Sequence, residues 1–416
     1  MLNPRTNTRE LAYIVNIDAI EPIQGSDNCE CAIVGGWHVM VRKNEFKVGD
    51  PAIYFEIDSY LDPSNPVFSF MEKKNYKVKT QRYTFGGKGN FISQGLLMSA
   101  ANFGWSIGLA SFTKDGPVII DDKNEEHTPN DESRFLTKQL GVTYYVAEDN
   151  TRKANSVDKY KKMAQRNGKL FSHQPFRWLM KRTWGRKLLF VFFGRKRDKK
   201  SGWPAWVVKT DEERVQNMPW ILNDKEPWIA TEKIDGTSTT FTMKRGKWPH
   251  KDEFYVCSRN VVFDKPDKAC FYDTNVYTEM AEKYDIYNKM KDLLYNHFAD
   301  CEWITIQGET YGPGIQKRDY HAPEHAFMAF NFITSKDGRW GTEKMVDLLQ
   351  EHMGIPCVPV LDTNFILPDT VEELLAYVTA ESVCDHDLRE GIVFRSKDGS
   401  KSFKAVSNEF LLKYHQ

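Results

Sequence analysis

The sequence predicts an α+β chain in which a small β-barrel precedes a larger domain of mixed sheets and helices. Three observations carry that expectation. Residues 11–105 are a succession of short runs of β-formers separated by glycine turns, the pattern of a small all-β module. From Trp203 onward, β-rich runs alternate with apolar residues at helical spacing. Between the two, residues 111–200 change composition abruptly.

The elements follow in order. Ala12 to Ile17 and Trp37 to Val41 cluster β-formers, and Val48-Gly49-Asp50-Pro51 supplies turn chemistry before Ala52 to Ile57. Gly86 to Asn90 reads as a hairpin loop and Gln94 to Met98 as a further strand. This front module is expected to span 1–110. Residues 111–200 read as an exposed acidic loop, Asp121 to Glu126, followed by a basic, aromatic insert or linker. The third region, 201–416, opens with the β-rich runs Trp228 to Ala230 and Thr237 to Met243. Met280, Tyr284, Tyr287, Met290, Leu294 and Phe298 fall three or four apart and should line one buried helical face. Glu343 to Met353 reads as a helix stopped by Gly354, and Thr370 to Thr379 as another that begins after Asp369.

Composition bounds the class. At 416 residues the chain suggests two or three domains. Hydrophobic residues at 41% can build real cores, while a mean hydropathy of −0.56 and 27% charged residues mark a soluble protein. No apolar run approaches the roughly 18 residues that a membrane span needs, and Met1 to Arg5 lacks a signal-peptide core. Seven cysteines form no C-x-x-C pair, which argues against a zinc module or disulfide framework and for a reducing, cytoplasmic compartment. Formal net charge is zero, yet 151–200 hold 17 Lys and Arg against Asp158 and Asp198. Phe176, Trp178, Trp184, Phe190, Phe192 and Phe193 are interleaved among them. Such a stretch suits phosphate contacts and base stacking on a nucleic acid.

The chemistry centres on Thr231-Glu232-Lys233-Ile234-Asp235-Gly236, at the end of one β-rich run and ahead of the next. A lysine at the mouth of a sheet can be aimed at a phosphorus atom. It is a nucleophile only when neutral, so its pocket is expected to lower its pKa. Alone the pattern is weak. Five further features follow in order: Ser258-Arg259 after a β-rich run; Gly308-Glu309 after Trp303 to Ile306; the aromatic strand Phe327 to Phe332; Glu390 at the head of another strand; and Ser402-Phe403-Lys404 near the C-terminus. His321 to His325 formally matches an H-x-x-E-H metal pattern, but Pro323 inside it opposes the single helix that pattern requires.

This ordered set resembles the covalent nucleotidyltransferase superfamily, and within it the ATP-dependent RNA ligases that carry an N-terminal OB-fold module. Phe46 to Asp50 with Tyr54 to Ser59 resemble the OB-like barrel; Thr210 to Asn217 and the features above resemble the adenylyltransferase domain, built on antiparallel sheets with flanking helices. The resemblance implies that Lys233 attacks the α-phosphorus of ATP and carries AMP as a phosphoramidate. Arg259 and Glu309 would contact the AMP phosphate or ribose, Phe330 would stack on adenine, and Glu232 would join the nucleotide-binding set. Lys404 would contact the α-phosphate and help keep Lys233 unprotonated, and Arg214 would touch the triphosphate or the RNA end. Asp235 would act beside Lys233, and Asp235, Glu309 and Glu390 would hold Mg²⁺ or Mn²⁺. In related ligases a second lysine often follows the Lys404 position by two residues; here that residue is Val406, with Lys401 as a candidate substitute.

The expected activity is sealing of a 3′-hydroxyl to a 5′-phosphate in RNA, in a nicked duplex or RNA/DNA hybrid, by a monomer. DNA ligases and capping guanylyltransferases typically carry an OB domain after the catalytic one. Only 12 residues follow Lys404, which disfavours both. A non-catalytic RNA-binding protein with a degenerate ligase domain stays open as the alternative.

Overall fold

The computed structural model describes residues 1–87, 89–108, 116–130, 132–144, 173–180, 182, 189, 203–209, 211–246, 250–263 and 275–414. Most of the basic stretch 151–200, with its expected RNA contacts, lies outside the described residues. Residues 1–144 and 207–416 form one compact unit, and 145–206 form another, in which a helix covers Gln174–Met180.

The front of the first unit is built from antiparallel strands. Ala12–Asn16, Pro51–Phe55 and Leu96–Met98 make one three-stranded sheet, in the register Ala12 to Phe55 and Tyr54 to Leu97. Ala19–Pro22, Cys29–Val34 and Trp37–Arg42 make a second. Its tight Gly35-Gly36 hairpin has φ of 52° and 77°, a left-handed pair that glycine adopts without strain. Gly86 and Gly87 lie in the loop of the hairpin Gln81–Thr84 and Asn90–Ser93.

The core of this front region continues past residue 110. Strands Ser106–Gly108, Val118–Ile120 and Glu126–His127 form a small sheet. Ile119, Leu136, Leu140 and Val142 are buried with Ile14, Ile53 and Phe55, and Thr137 Oγ1 accepts from the backbone N–H groups of Leu11 and Ala12. The acidic segment is exposed from Asp122 to Glu126, but Asp121 is buried. Its carboxylate accepts from the N–H groups of Lys123 and Glu125 and from Gln139 Nε2, and lies 3.1 Å from His127 Nε2. A charge pattern cannot distinguish a solvated acid from one that closes a turn.

From Trp228 onward the strands divide between two antiparallel sheets. A four-stranded sheet has the order Val360–Phe365, Trp228–Lys233, Gly391–Ser396, Ser402–Val406. A six-stranded sheet runs Val262–Phe263, Glu253–Ser258, Thr237–Lys244, Trp303–Tyr311, Ala326–Thr334, Gly338–Arg339. Helix Val371–Val378, capped by Thr370 with Glu373 closing a capping box, packs Val371, Leu374 and Val378 with Trp228, Phe394 and Phe403. The six-stranded sheet buries Phe241, Ile304, Ile306 and Phe332 with Met280, Met290 and Leu294 from the helical segment. That segment is broken. Val276–Lys283 ends at Tyr284, Asp285 has φ 49°, and Ile286–Asp292 restarts with a new phase. The break turns Ile286 inward and leaves Tyr287 exposed, contrary to a single continuous stripe. Thr342–Val346 continues as a π-helical turn, Asp347–His352, and Gly354 follows at φ 61°.

Gly308 and Glu309 do not follow a strand, as the β-rich run suggested; they lie within one, at a bulge after Gln307. A Cβ at Gly308 would sit 2.3 Å from the Met328 carbonyl oxygen, and backbone in mid-sheet cannot yield cheaply. Gly308→Ala should destabilise the six-stranded sheet by about 1–3 kcal/mol, read as a lower denaturant midpoint.

Candidate active site

The chain changes sheets at the lysine. Lys233 is the last residue of its strand and pairs with Gly391, so Glu390 arrives beside it from the neighbouring strand. Ile234, Asp235 and Gly236 then carry the backbone to Thr237, first residue of a strand in the six-stranded sheet. Only a glycine permits this crossing, because a Cβ at position 236 would lie 2.4 Å from the Thr310 carbonyl oxygen. Tyr320 Oη accepts the Asp235 N–H at 2.7 Å and anchors the turn.

A cavity of about 420 Å³ opens at this crossing. It is lined by Lys233, Asp235, Glu390, Lys404, Glu232, Arg214, Arg259, Glu309 and Phe330, the nine residues given a catalytic, nucleotide or metal role by the resemblance. Asp211, Glu212, Gln316 and Arg395 also line it and carried no individual assignment. Asp211 and Glu212 lie in the segment Thr210 to Asn217, but no spacing rule ties that segment to strands far along the chain. Lys401 is not among the lining residues. It pairs with Asp224 at 2.6 Å, whereas Val406 does line the cavity. His325 contacts Glu279 and the Pro313 carbonyl oxygen, and His321 lies in an irregular loop, so the H-x-x-E-H residues form no metal cluster among those described.

Three of the cavity's cations are already paired with carboxylates. Lys233 Nζ donates to Glu390 Oε2 at 2.7 Å. Asp211 bridges two further cations, accepting from Arg259 Nη2 and, at 3.1 Å, from Lys404 Nζ. Beneath them, Glu212 accepts from Arg339, Arg395 and Ser402. Strand alternation turns the Glu232 carboxylate elsewhere: Ser382 Oγ and the Val383 N–H donate to it. Its side chain is therefore engaged with a neighbouring loop.

The electrostatics reverse one expectation. Burial alone would lower the Lys233 pKa, but the charges of Glu390, Glu309 and Asp235 outweigh it and raise the ammonium above the ordinary lysine value. Among these carboxylates Lys233 is thus protonated rather than poised. Lys404 moves the other way, lowered by burial and by Lys233 and Arg214 against the pull of Asp211. Burial, reinforced by Glu390 and Asp235 and opposed by Lys233, pushes the Glu309 carboxyl up to about 8. Asp235, Glu309 and Glu390 all line the cavity, but their carboxylate oxygens do not gather into a cluster lying within 4.8 Å of one another.

Two outcomes follow from these charges. Glu390→Gln should move the Lys233 titration to lower pH, measured as the pH dependence of Lys233 acylation by an amine-reactive ester and peptide mapping. Glu309 binds more protons folded than unfolded between its ordinary value of 4.5 and about 8, so its contribution to stability falls as pH rises through that window. Glu309→Gln should therefore match the parent's thermal midpoint near pH 5 and exceed it increasingly toward pH 8.

Comparison with known proteins finds two domains along the chain. Residues 226–415 match the RNA ligase family profile, and residues 11–99 match an OB-fold domain profile. No curated protein sequence matches the chain. Among solved structures, a Naegleria gruberi RNA ligase with pyrophosphate is 26% identical, covering 98% of this chain and 99% of that one, with a TM-score of 0.58. A mutant of the Naegleria gruberi enzyme with AMP and Mn is 25% identical over 98% of this chain and 99% of that one, TM-score 0.60. Another mutant of it, with ATP and Mn, shares the fold at 24% identity over 97% and 99%, TM-score 0.60. Residues 226–415 accordingly belong to the RNA ligase family and are preceded in this chain by an OB-fold domain.

Proposed function

We propose that this protein is an ATP-dependent RNA ligase that joins a 3′-hydroxyl to a 5′-phosphate through AMP carried on Lys233. One observation carries the reading: the Lys233 amine lies at the sheet crossing, in a cavity whose walls bring Arg259, Lys404, Glu309, Glu390 and Phe330 together from distant strands. The bound nucleotides of the Naegleria gruberi structures support ATP as the co-substrate.

The chain's own groups suit each step. Lys233 sheds a proton and its nitrogen attacks the α-phosphorus; the bond to the bridging oxygen breaks and pyrophosphate leaves. Arg259 and Lys404 exchange Asp211 for phosphate oxygens, so cations held in place by an internal acid are ready for the reacting group. Phe330 offers a face for adenine. A 5′-phosphate oxygen of the RNA next takes the adenylate from Lys233, and the 3′-hydroxyl finally attacks that 5′-phosphorus and expels AMP.

Asp235, Glu309 and Glu390 are the residues that would hold Mg²⁺ or Mn²⁺. When bound, the cation would offset the charge of these carboxylates and of the reacting phosphate. Glu390 meanwhile keeps the amine at the rim by its 2.7 Å contact.

Incubation with α-labelled ATP and Mg²⁺ should leave label on the denatured protein, and Lys233→Ala or chelation by EDTA should abolish it. Arg259→Ala and Lys404→Ala should slow labelling by about 10²–10³-fold, the usual loss for a preorganised charge at a reacting centre. An unlabelled wild-type protein would point to a binding module, and a preference for GTP to a guanylyltransferase.

A further inference from the structure

The OB-fold domain meets a charged residue of the cavity through Trp37. Arg214, which lines the cavity, lies with its guanidinium carbon 5.6 Å from the ring centroid of Trp37, the residue after the Gly35-Gly36 hairpin. Trp37 is only 2% exposed and stacks on Tyr54, with centroids 6.3 Å apart and planes 24° from parallel. Tyr54 is in turn held by its hydroxyl, which donates to the Gln94 carbonyl at 2.9 Å, and by the edge of Tyr13. An aromatic column rooted in the front domain thus ends on a cavity arginine.

The surroundings limit where that arginine can go. The Lys404 N–H donates to the Glu213 carbonyl at 2.7 Å, and Arg214 bridges to Lys404 in parallel register. On the other side, the Leu2 N–H donates to the Asn217 carbonyl at 2.8 Å. A Cβ at Gly36 would meet Val371 Cγ1 at 2.5 Å, so the hairpin abuts the catalytic domain closely. Within this clamp the Arg214 Nη1 is buried and makes no hydrogen bond. A guanidinium donor without an acceptor costs free energy, and a phosphate oxygen is the acceptor that its charge and fork geometry suit.

We propose that Trp37 is a positioning residue of the active site: the OB-fold domain holds Arg214 by a cation–π contact with its free Nη1 directed to a phosphate of the reacting partners. The proposal rests on the ligase reading and adds to it. The front domain then contributes to the nucleotidyl-transfer pocket itself, independently of any grip on the RNA. Two phosphates share this chemistry, the outer phosphates of ATP and the 5′-phosphate of the RNA.

The test uses the full chain with Trp37→Phe, Trp37→Leu, Arg214→Ala and the Trp37→Leu/Arg214→Ala double variant. If the outer phosphates of ATP are the ligand, Trp37→Leu raises the KM for ATP in protein labelling by about 2- to 30-fold, the range of a cation–π contact. Sealing of a pre-adenylylated nick then stays at the wild-type rate. If the RNA 5′-phosphate is the ligand, labelling is unchanged and transfer of AMP to the RNA falls by that factor. In either case Trp37→Phe, which keeps an aromatic face, retains most of the activity, and Trp37→Leu adds nothing in the Arg214→Ala background. Additive losses, equal losses at every step, or Trp37→Leu behaving as wild type would overturn the proposal. Should wild-type protein fail to label, the ligase reading falls. The positioning claim is then decided by titration with inorganic tripolyphosphate and with a 5′-phosphorylated oligonucleotide. Equal, non-additive weakening of either ligand by Trp37→Leu and Arg214→Ala sustains it, and unchanged affinities for both overturn it.

Discussion

The contact between Lys233 and Glu390 depends on most of the catalytic domain being folded correctly. The two residues are 157 positions apart and meet at 2.7 Å because neighbouring strands bring them there in register. That register needs the four-stranded sheet, its Trp228–Phe394–Phe403 core and the covering helix. The close crossing at Gly236 then places the same lysine against the six-stranded sheet. A one-residue slip would turn Lys233 to the face that Glu232 now occupies.

Pairing is also how the cavity tolerates its charge. Three cations at its centre have carboxylate partners: Glu390 for Lys233, and Asp211 for both Arg259 and Lys404. Lys233 and Lys404 are largely buried and would be expensive to leave unpaired, whereas Arg259 and Asp211 are mostly exposed. Asp211 supplies an acceptor that phosphate oxygens resemble. The raised pKa of Lys233 belongs to the same scheme, since the carboxylates around it outweigh its burial and hold it as an ammonium.

The two-sheet cavity and the front domain share one segment, Glu213 to Asn217. It runs beside the Lys404 strand on one side and meets Leu2, Arg9 and Trp37 on the other. This short stretch with little regular structure is joined to both by backbone bonds that no periodicity announces, and the two also meet where Gly36 abuts Val371 and Ile92 packs with Val406 and Leu411.

Much of this was legible in the residues. Strand runs with turn glycines marked the front domain, and the helix expected over Thr370 to Thr379 forms over Val371–Val378, with Thr370 as its cap rather than its first residue. The ordered series from Lys233 to Lys404 named the groups that the cavity gathers, because chemistry constrains residue type and order along the chain. The folded chain alone decided the break at Asp285, which depends on a left-handed backbone, and the burial of Asp121, which depends on a turn. It also decided the protonation of Lys233. Side-chain pKa follows distances between charges, and those distances are set by strand register across 157 residues. Sequence therefore determined which groups are present, while tertiary packing decided their state, since Coulomb energies depend on separation in space.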